Sequence, residues 1–180
     1  MRFCEAPWPH LEIDEFLPPE IAQHIAENWP TQGWSWLKHS DVVRPDGTSL
    51  RRYQPLAQHF QAFTAQAISD IEGCLKSFFR PAVPIYPLAL LVEDAPGYWI
   101  RRHTDCAGKV ISAQCYFASP GDDESRGVKL EGDKTKQIPY RFNHGYAFRV
   151  TKGSWHRVTR SSGVRKSLQL IYYDTPAPNL

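Results

Sequence analysis

Three short stretches of the chain carry residues suited to metal and acid chemistry. In Arg102-His103-Thr104-Asp105 an imidazole and a carboxylate stand two positions apart, and on a β-strand that spacing turns both side chains to one face. Taken alone, the triplet reads first as a histidine hydrogen-bonded to a neighbouring aspartate. Ser154-Trp155-His156-Arg157-Val158 supplies a second imidazole on another predicted strand, and Arg165-Lys166-Ser167 follows across the turn Ser161-Ser162-Gly163. Folded as a hairpin, these segments bring His156 and a guanidinium into the same interior. Two imidazoles and one carboxylate on one side of a metal leave three positions open, which suits non-haem Fe(II) that must take a co-substrate and O2 together. The planar fork of Arg165 matches a carboxylate, and Ser167 adds a hydroxyl to the same acid group from two residues along the strand.

Such residues need a scaffold that lets distant strands face one another. After residue 84 the chain reads as short segments rich in aromatic and β-branched residues. They are separated by turn chemistry at Ala95-Pro96-Gly97, Pro120-Gly121-Asp122, Glu131-Gly132-Asp133 and Asn143-His144-Gly145. Roughly eight strands fit between Ile85 and Tyr173, with the spacing of an all-β barrel or sandwich. No stretch after Pro81 leaves room for crossover helices, so a parallel sheet is disfavoured. Before residue 84 the periodicity is helical. Pro18-Pro19-Glu20 opens a short helix with Ile21, Ala22, Ile25, Ala26 and Trp29 on one face, and Pro30 stops it. Residues 55–79 carry Leu56, Phe60, Phe63, Ala67, Ile71, Leu75 and Phe78 at helical spacing, a stripe that must bury against a sheet.

The whole is expected to be one domain over residues 1–180, a helical flank over 1–84 and a β core over 85–180. A chain of 180 residues with 42% hydrophobic and 13% aromatic residues has ample material for one core. Its 21 Lys and Arg against 19 Asp and Glu leave a net charge of +2, no basic field for nucleic acid or an anionic membrane. No apolar run reaches the roughly 18 residues of a membrane span. The opening Met-Arg-Phe-Cys-Glu meets Pro7 and Pro9 before any apolar run, and the four cysteines have no framework spacing. A cytoplasmic protein with reduced thiols is expected.

With these residues in view, the sequence resembles the Fe(II)- and 2-oxoglutarate-dependent dioxygenases with a double-stranded β-helix (jelly-roll) core, nearest to the prolyl-hydroxylase-like branch. The matching positions are Gly97-Tyr98 leading to His103-Thr104-Asp105, the strand Lys109 to Phe117, the turn Asn143-His144-Gly145 before Phe148, then Ser154-Trp155-His156 and Arg165-Lys166-Ser167. Pro9 to Leu17 is similar to the first strand and turn of small members of the branch. The resemblance implies a mainly β fold with N-terminal helices around the jelly roll. It implies His103, Asp105 and His156 as iron ligands, Arg165 as the anchor of the 2-oxoglutarate C5 carboxylate, Ser167 and the Tyr116 hydroxyl as its helpers, and Gln114 on the same face touching co-substrate or substrate. It further implies Fe(II), 2-oxoglutarate and O2 as cofactor and co-substrates, with succinate and CO2 released. Asp105 sets the chain apart from halogenating relatives, which carry a small residue there. Lys166-Ser167-Leu168-Gln169-Leu170-Ile171 lacks the second arginine of the nucleic-acid demethylating members.

The expected reaction is hydroxylation of a C–H bond in a small molecule such as an amino acid or a secondary-metabolite intermediate. The alternatives are a prolyl hydroxylase acting on a protein or peptide and a non-catalytic jelly-roll module that binds metal or ligand. Arg101, Arg102, Arg157 and Arg160 cluster beside both ligand segments and would form an electropositive mouth for an anionic substrate, or else a solvated rim. His10, His24, His39, His59 and His144 are expected to take no part in metal chemistry.

Overall fold

A computed structural model of the chain describes residues 1–37, 43–45 and 47–176, so His39 lies outside the described residues. The N-terminal part runs β1 (Arg2–Cys4), β2 (His10–Ile13), α1 (Pro19–Glu27), β3 (Ser35–Trp36), β4 (Arg51–Pro55) and α2 (Ala57–Phe79). Pro19 stands at the start of α1, where a missing N–H costs nothing, and Ala22 and Ile25 are its buried residues. Along α2 the buried positions are Phe60, Thr64, Ala67, Ile71 and Leu75. Phe63 and Phe78, expected in this stripe, are exposed. Thr64 takes the inward position in place of Phe63 because its hydroxyl is satisfied within the helix by the Phe60 carbonyl at 2.9 Å. Arg80, left-handed at φ 43°, caps the helix.

The second part holds the eight expected strands: β5 (Tyr86–Asp94), β6 (Ile100–His103), β7 (Lys109–Tyr116), β8 (Val128–Glu131), β9 (Thr135–Gln137), β10 (Gly145–Arg149), β11 (His156–Val158) and β12 (Arg165–Tyr173). They divide four and four. One sheet contains β10-β7-β12-β5 and the other is β6-β11-β8-β9, all pairings antiparallel. This is the jelly roll. The flank is not purely helical, as the first 84 residues had suggested. It extends the larger sheet at both edges, with β2 beside β10 and β1 beyond it, and β4 beside β5 and β3 beyond it. Strands of two to five residues carry too few alternations to show in the sequence.

Two cores result. One lies between the helices and the outer face of the larger sheet, with Leu56, Phe60 and Leu75 against Ile111, Leu168 and Leu170. The other lies between the sheets, where Tyr116, Tyr146 and Phe148 meet Val128, Leu130 and Val158. Asn143, at φ 53°, ties the flank to this body. Its side-chain oxygen accepts the Leu17 N–H at 2.9 Å and its amide donates to the Leu17 carbonyl at 2.8 Å.

Strand register also stacks three charges. Asp94, at the end of β5, is the direct partner of Arg51 at the start of β4 and of Arg165 at the start of β12. Asp94 is only 1% exposed, and both guanidinium groups bond its carboxylate. Burial works to raise the Asp94 carboxyl, but Arg51 and Arg165 prevail and hold it below its ordinary value. Replacing Asp94 by Asn would leave two buried cations sharing a neutral partner, and a stability loss of about 3–5 kcal/mol is expected in urea unfolding. Because the lowered carboxyl stabilises the fold above its ordinary range and loses that contribution as pH falls, Asp94→Asn should also flatten the acid side of the stability profile. A loss below about 1 kcal/mol would show that the two arginines do not depend on it.

Candidate functional site

The paired strands β6 and β11 set His103 directly opposite His156, with ring centroids 4.3 Å apart. The register shifts between this pair and Val158↔Ile100, leaving an extra residue on β6. That bulge lets Ile100 and His103 both face the interior while Arg101 and Arg102 are exposed. Asp105 is not on the strand, since β6 ends at His103, yet it still reaches the same point. One ligand atom from each of His103, Asp105 and His156 lies within 4.8 Å of the others.

The protonation of this group is set by its surroundings. The Nδ1 of each histidine meets the backbone carbonyl two residues earlier, Arg101 at 2.9 Å and Ser154 at 3.0 Å. A donated Nδ1–H fixes each ring and turns the Nε2 lone pair to the cluster. Burial lowers the pKa of His156, favouring the neutral form that binds metals. Asp105 Oδ1 accepts from Lys109 Nζ at 2.7 Å, while Oδ2 is buried with no hydrogen-bond partner. Burial would raise the Asp105 carboxyl, but Lys109 and then His156 outweigh it, so the group is held ionised. Two inward-turned imidazole nitrogens and an orphaned anionic oxygen fit a divalent metal.

Beside these ligands is a cavity of about 100 Å³, whose polar wall includes Arg51, Lys109, Gln114, Tyr146 and Gln169, with Ile100, Val128 and Val158 as apolar wall. Of the residues expected to hold the co-substrate, Gln114 lines it. Arg165, Ser167 and Tyr116 are fully buried and do not. Arg165 donates Nε to Asp94 at 3.0 Å and Nη2 to the same oxygen, and its Nη1 reaches the Arg126 carbonyl at 2.9 Å. Its fork, expected to be open to an acid, is closed on Asp94. Ser167 accepts from Gln114 Nε2 at 2.8 Å, and Gln114 Oε1 accepts from the Tyr146 hydroxyl at 2.7 Å. The Tyr116 hydroxyl accepts the Val128 N–H at 2.9 Å, and burial pushes its pKa up to about 12.

The expected arginine mouth is not formed by the four clustered residues. Arg102 and Arg157 both pair with Glu131, at 3.3 Å and 2.7 Å, and Arg102 also lies 4.4 Å over the Trp155 ring. With Arg101 and Arg160 they border a separate surface groove beside Trp99 and Thr159. The bulge on β6 and the alternation of β11 account for this outward turn.

Two residues of the site were missed in the sequence, Lys109 and Arg51. Lys109 follows Asp105 across the turn Ala107-Gly108, with Gly108 at φ 89°, which folds the cation back on the carboxylate. The Asp-x-x-x-Lys spacing with its glycine was the available signal. Arg51 sat in a flank read as helical.

A second cluster among the described residues joins Cys4, His10 and Glu12. Its carboxylate is already taken by Arg2 at 2.6 Å and Lys136 at 2.7 Å. Burial opposes ionisation there, but Lys136 and Arg2 bring the Glu12 carboxyl down to about 2. Two cations on one acid leave it neutralised, in contrast to the open oxygen of Asp105.

Replacing Lys109 by Met should weaken Mn(II) or Ni(II) binding by about 10–100-fold in calorimetric titration, because the second oxygen of Asp105 loses its fixed partner. Lys109→Arg should restore most of that affinity. Unchanged affinity in the Met variant would make the pair incidental.

No protein-family model and no curated protein matches this chain. Solved structures do. A prolyl hydroxylase from Trichoplax adhaerens, in complex with a hypoxia inducible factor oxygen degradation domain peptide fragment, is 16% identical with a TM-score of 0.68, over 92% of this chain and 83% of that one. An oxidoreductase of the 2OG-Fe(II) oxygenase family from Burkholderia pseudomallei is 8% identical with a TM-score of 0.70, over 94% and 88%. HygX from Streptomyces hygroscopicus, with nickel, 2-oxoglutarate and hygromycin B bound, is 13% identical with a TM-score of 0.59, over 92% and 83%. The chain shares their jelly-roll fold.

Proposed function

We propose that this protein is an Fe(II)- and 2-oxoglutarate-dependent oxygenase that hydroxylates a C–H bond of a small molecule. The observation that carries the reading is the set His103, Asp105 and His156, with both imidazoles fixed through Nδ1 and one aspartate oxygen buried without a partner. An orphaned buried carboxylate oxygen is costly unless a ligand takes it. Bound there with 2-oxoglutarate, Fe(II) supplies the oxidising chemistry, in which one O2 and one 2-oxoglutarate are consumed, one succinate and one CO2 leave, and C–H becomes C–OH.

The chain's own residues do the holding and shaping. His103 and His156 present Nε2 while their Nδ1–H groups donate to backbone carbonyls. Asp105 gives an anionic oxygen and keeps its other oxygen on Lys109. Ile100, Val128 and Val158 exclude water from one side of the cavity, and Gln114 with Tyr146 forms a hydrogen-bonded wall on another. The shared fold of HygX, whose structure contains hygromycin B, supports a small-molecule substrate, and the narrow cavity beside the ligands supports a substrate that presents only a slender group there. A peptide substrate is the second reading, favoured by the peptide-bound hydroxylase of the same fold.

Anaerobic loading with Fe(II) and 2-oxoglutarate, followed by air and panels of metabolites and proline-containing peptides, tests both. Substrate-stimulated succinate release is expected with a metabolite and should fall to background in Asp105→Ala. Stimulation by peptides alone would move the substrate to the second reading. Release that survives Asp105→Ala, or stimulation by nothing in either panel, would overturn the oxygenase reading.

A further inference from the structure

Building on the oxygenase reading, we infer that the distal carboxylate of 2-oxoglutarate is held by Arg51, a residue of the N-terminal flank, while Arg165 and Asp94 position it. Three cations, Arg51, Arg165 and Lys109, stand around the site against two carboxylates, Asp94 and Asp105. Lys109 is matched by Asp105. Asp94 alone must match both arginines, so one positive charge is left over where Asp94 and Arg165 are buried and the Arg51 side chain is only 13% exposed. A cation in such a place is stabilised only by a further anion.

The two arginines differ in what they have left to offer. Every nitrogen of Arg165 is engaged, two with Asp94 and one with the Arg126 carbonyl. Arg51 uses Nε and Nη2 on the two Asp94 oxygens, at 2.6 Å and 2.9 Å. Its Nη1 makes no hydrogen bond among the described residues. Its guanidinium carbon lies 4.5 Å over the buried Tyr98 ring, which together with Asp94 fixes the plane of the group. Arg51 lines the cavity that contains His103, Asp105 and His156, and Arg165 does not. The free donor, the surplus charge and the access to the cavity therefore meet at Arg51. In this arrangement Asp94 aims the guanidinium, and Arg165 shares the load of the buried carboxylate.

The test compares 2-oxoglutarate with 2-oxobutyrate, which keeps the keto-acid end and lacks the distal carboxylate. Affinities are measured by calorimetry on the Mn(II)-loaded protein without O2, so turnover plays no part. Wild type should prefer 2-oxoglutarate by at least about tenfold, or about 1.4 kcal/mol. Arg51→Gln leaves Asp94 and Arg165 as a balanced pair, so it should fold; it should bind Mn(II) as wild type does and lose the preference. Arg51→Lys retains a cation and should retain part of it, and it serves as the readout should the Gln variant not fold. A wild-type preference in the substituted protein would overturn Arg51 as the anchor and leave the oxygenase reading in place. Wild-type protein that binds Mn(II) but neither keto acid would sink that reading, and this inference with it.

Discussion

The architecture of the site turns on one buried carboxylate. Asp94 sits on the central strand of a three-strand register, with an arginine directly across on each side. Because a buried acid cannot stay ionised unaided, both guanidinium groups are drawn in, and their positions then fix the starts of β4 and β12. The same ion cluster links the flank to the jelly roll. It sets Arg51 in the wall of the cavity that His103, Asp105 and His156 also line, the arginine coming from the larger sheet and the two histidines from the smaller.

Imidazole orientation follows a simpler rule. His103 and His156 each lean on the carbonyl two residues back, a contact that a strand or strand end provides without any other side chain. His10 does the same with the Trp8 carbonyl at 2.8 Å. The device orients a ring and does not by itself make a metal site. What separates the two clusters is the charge around the carboxylate: Glu12 carries two cations, Asp105 one.

Much of this was legible in the sequence for local reasons. Turn chemistry marked the eight strands of the jelly roll, proline bracketed α1, and His-x-Asp with a distant His on a strand named the three residues that converge. The arginines next to those ligands were misleading because one inserted residue in β6 changes which side chains face inward, and alternation alone does not reveal an insertion. The occupied fork of Arg165 was hidden for another reason. Its partner Asp94 and its competitor Arg51 lie far from it along the chain, and only the register of three strands brings them level. His10-Leu11-Glu12 has the same two-residue spacing as His103-Thr104-Asp105, so spacing could not say which pair keeps an open oxygen.

The pairing of β2 with β10 and of β4 with β5 also imposes an order of completion on a chain made from its N-terminus. Arg51 can meet Asp94 as soon as β5 exists, and that nascent pair is electrically balanced. His10 to Ile13 must wait for residues 145–147, and the second arginine arrives only when Arg165 emerges. Long-range strand pairing of this kind is slow and leaves edges exposed in the interim. The surplus charge that would call in an acid thus comes into being only with the last strand, so a chain halted before β12 has its carboxylate satisfied and nothing yet to recruit.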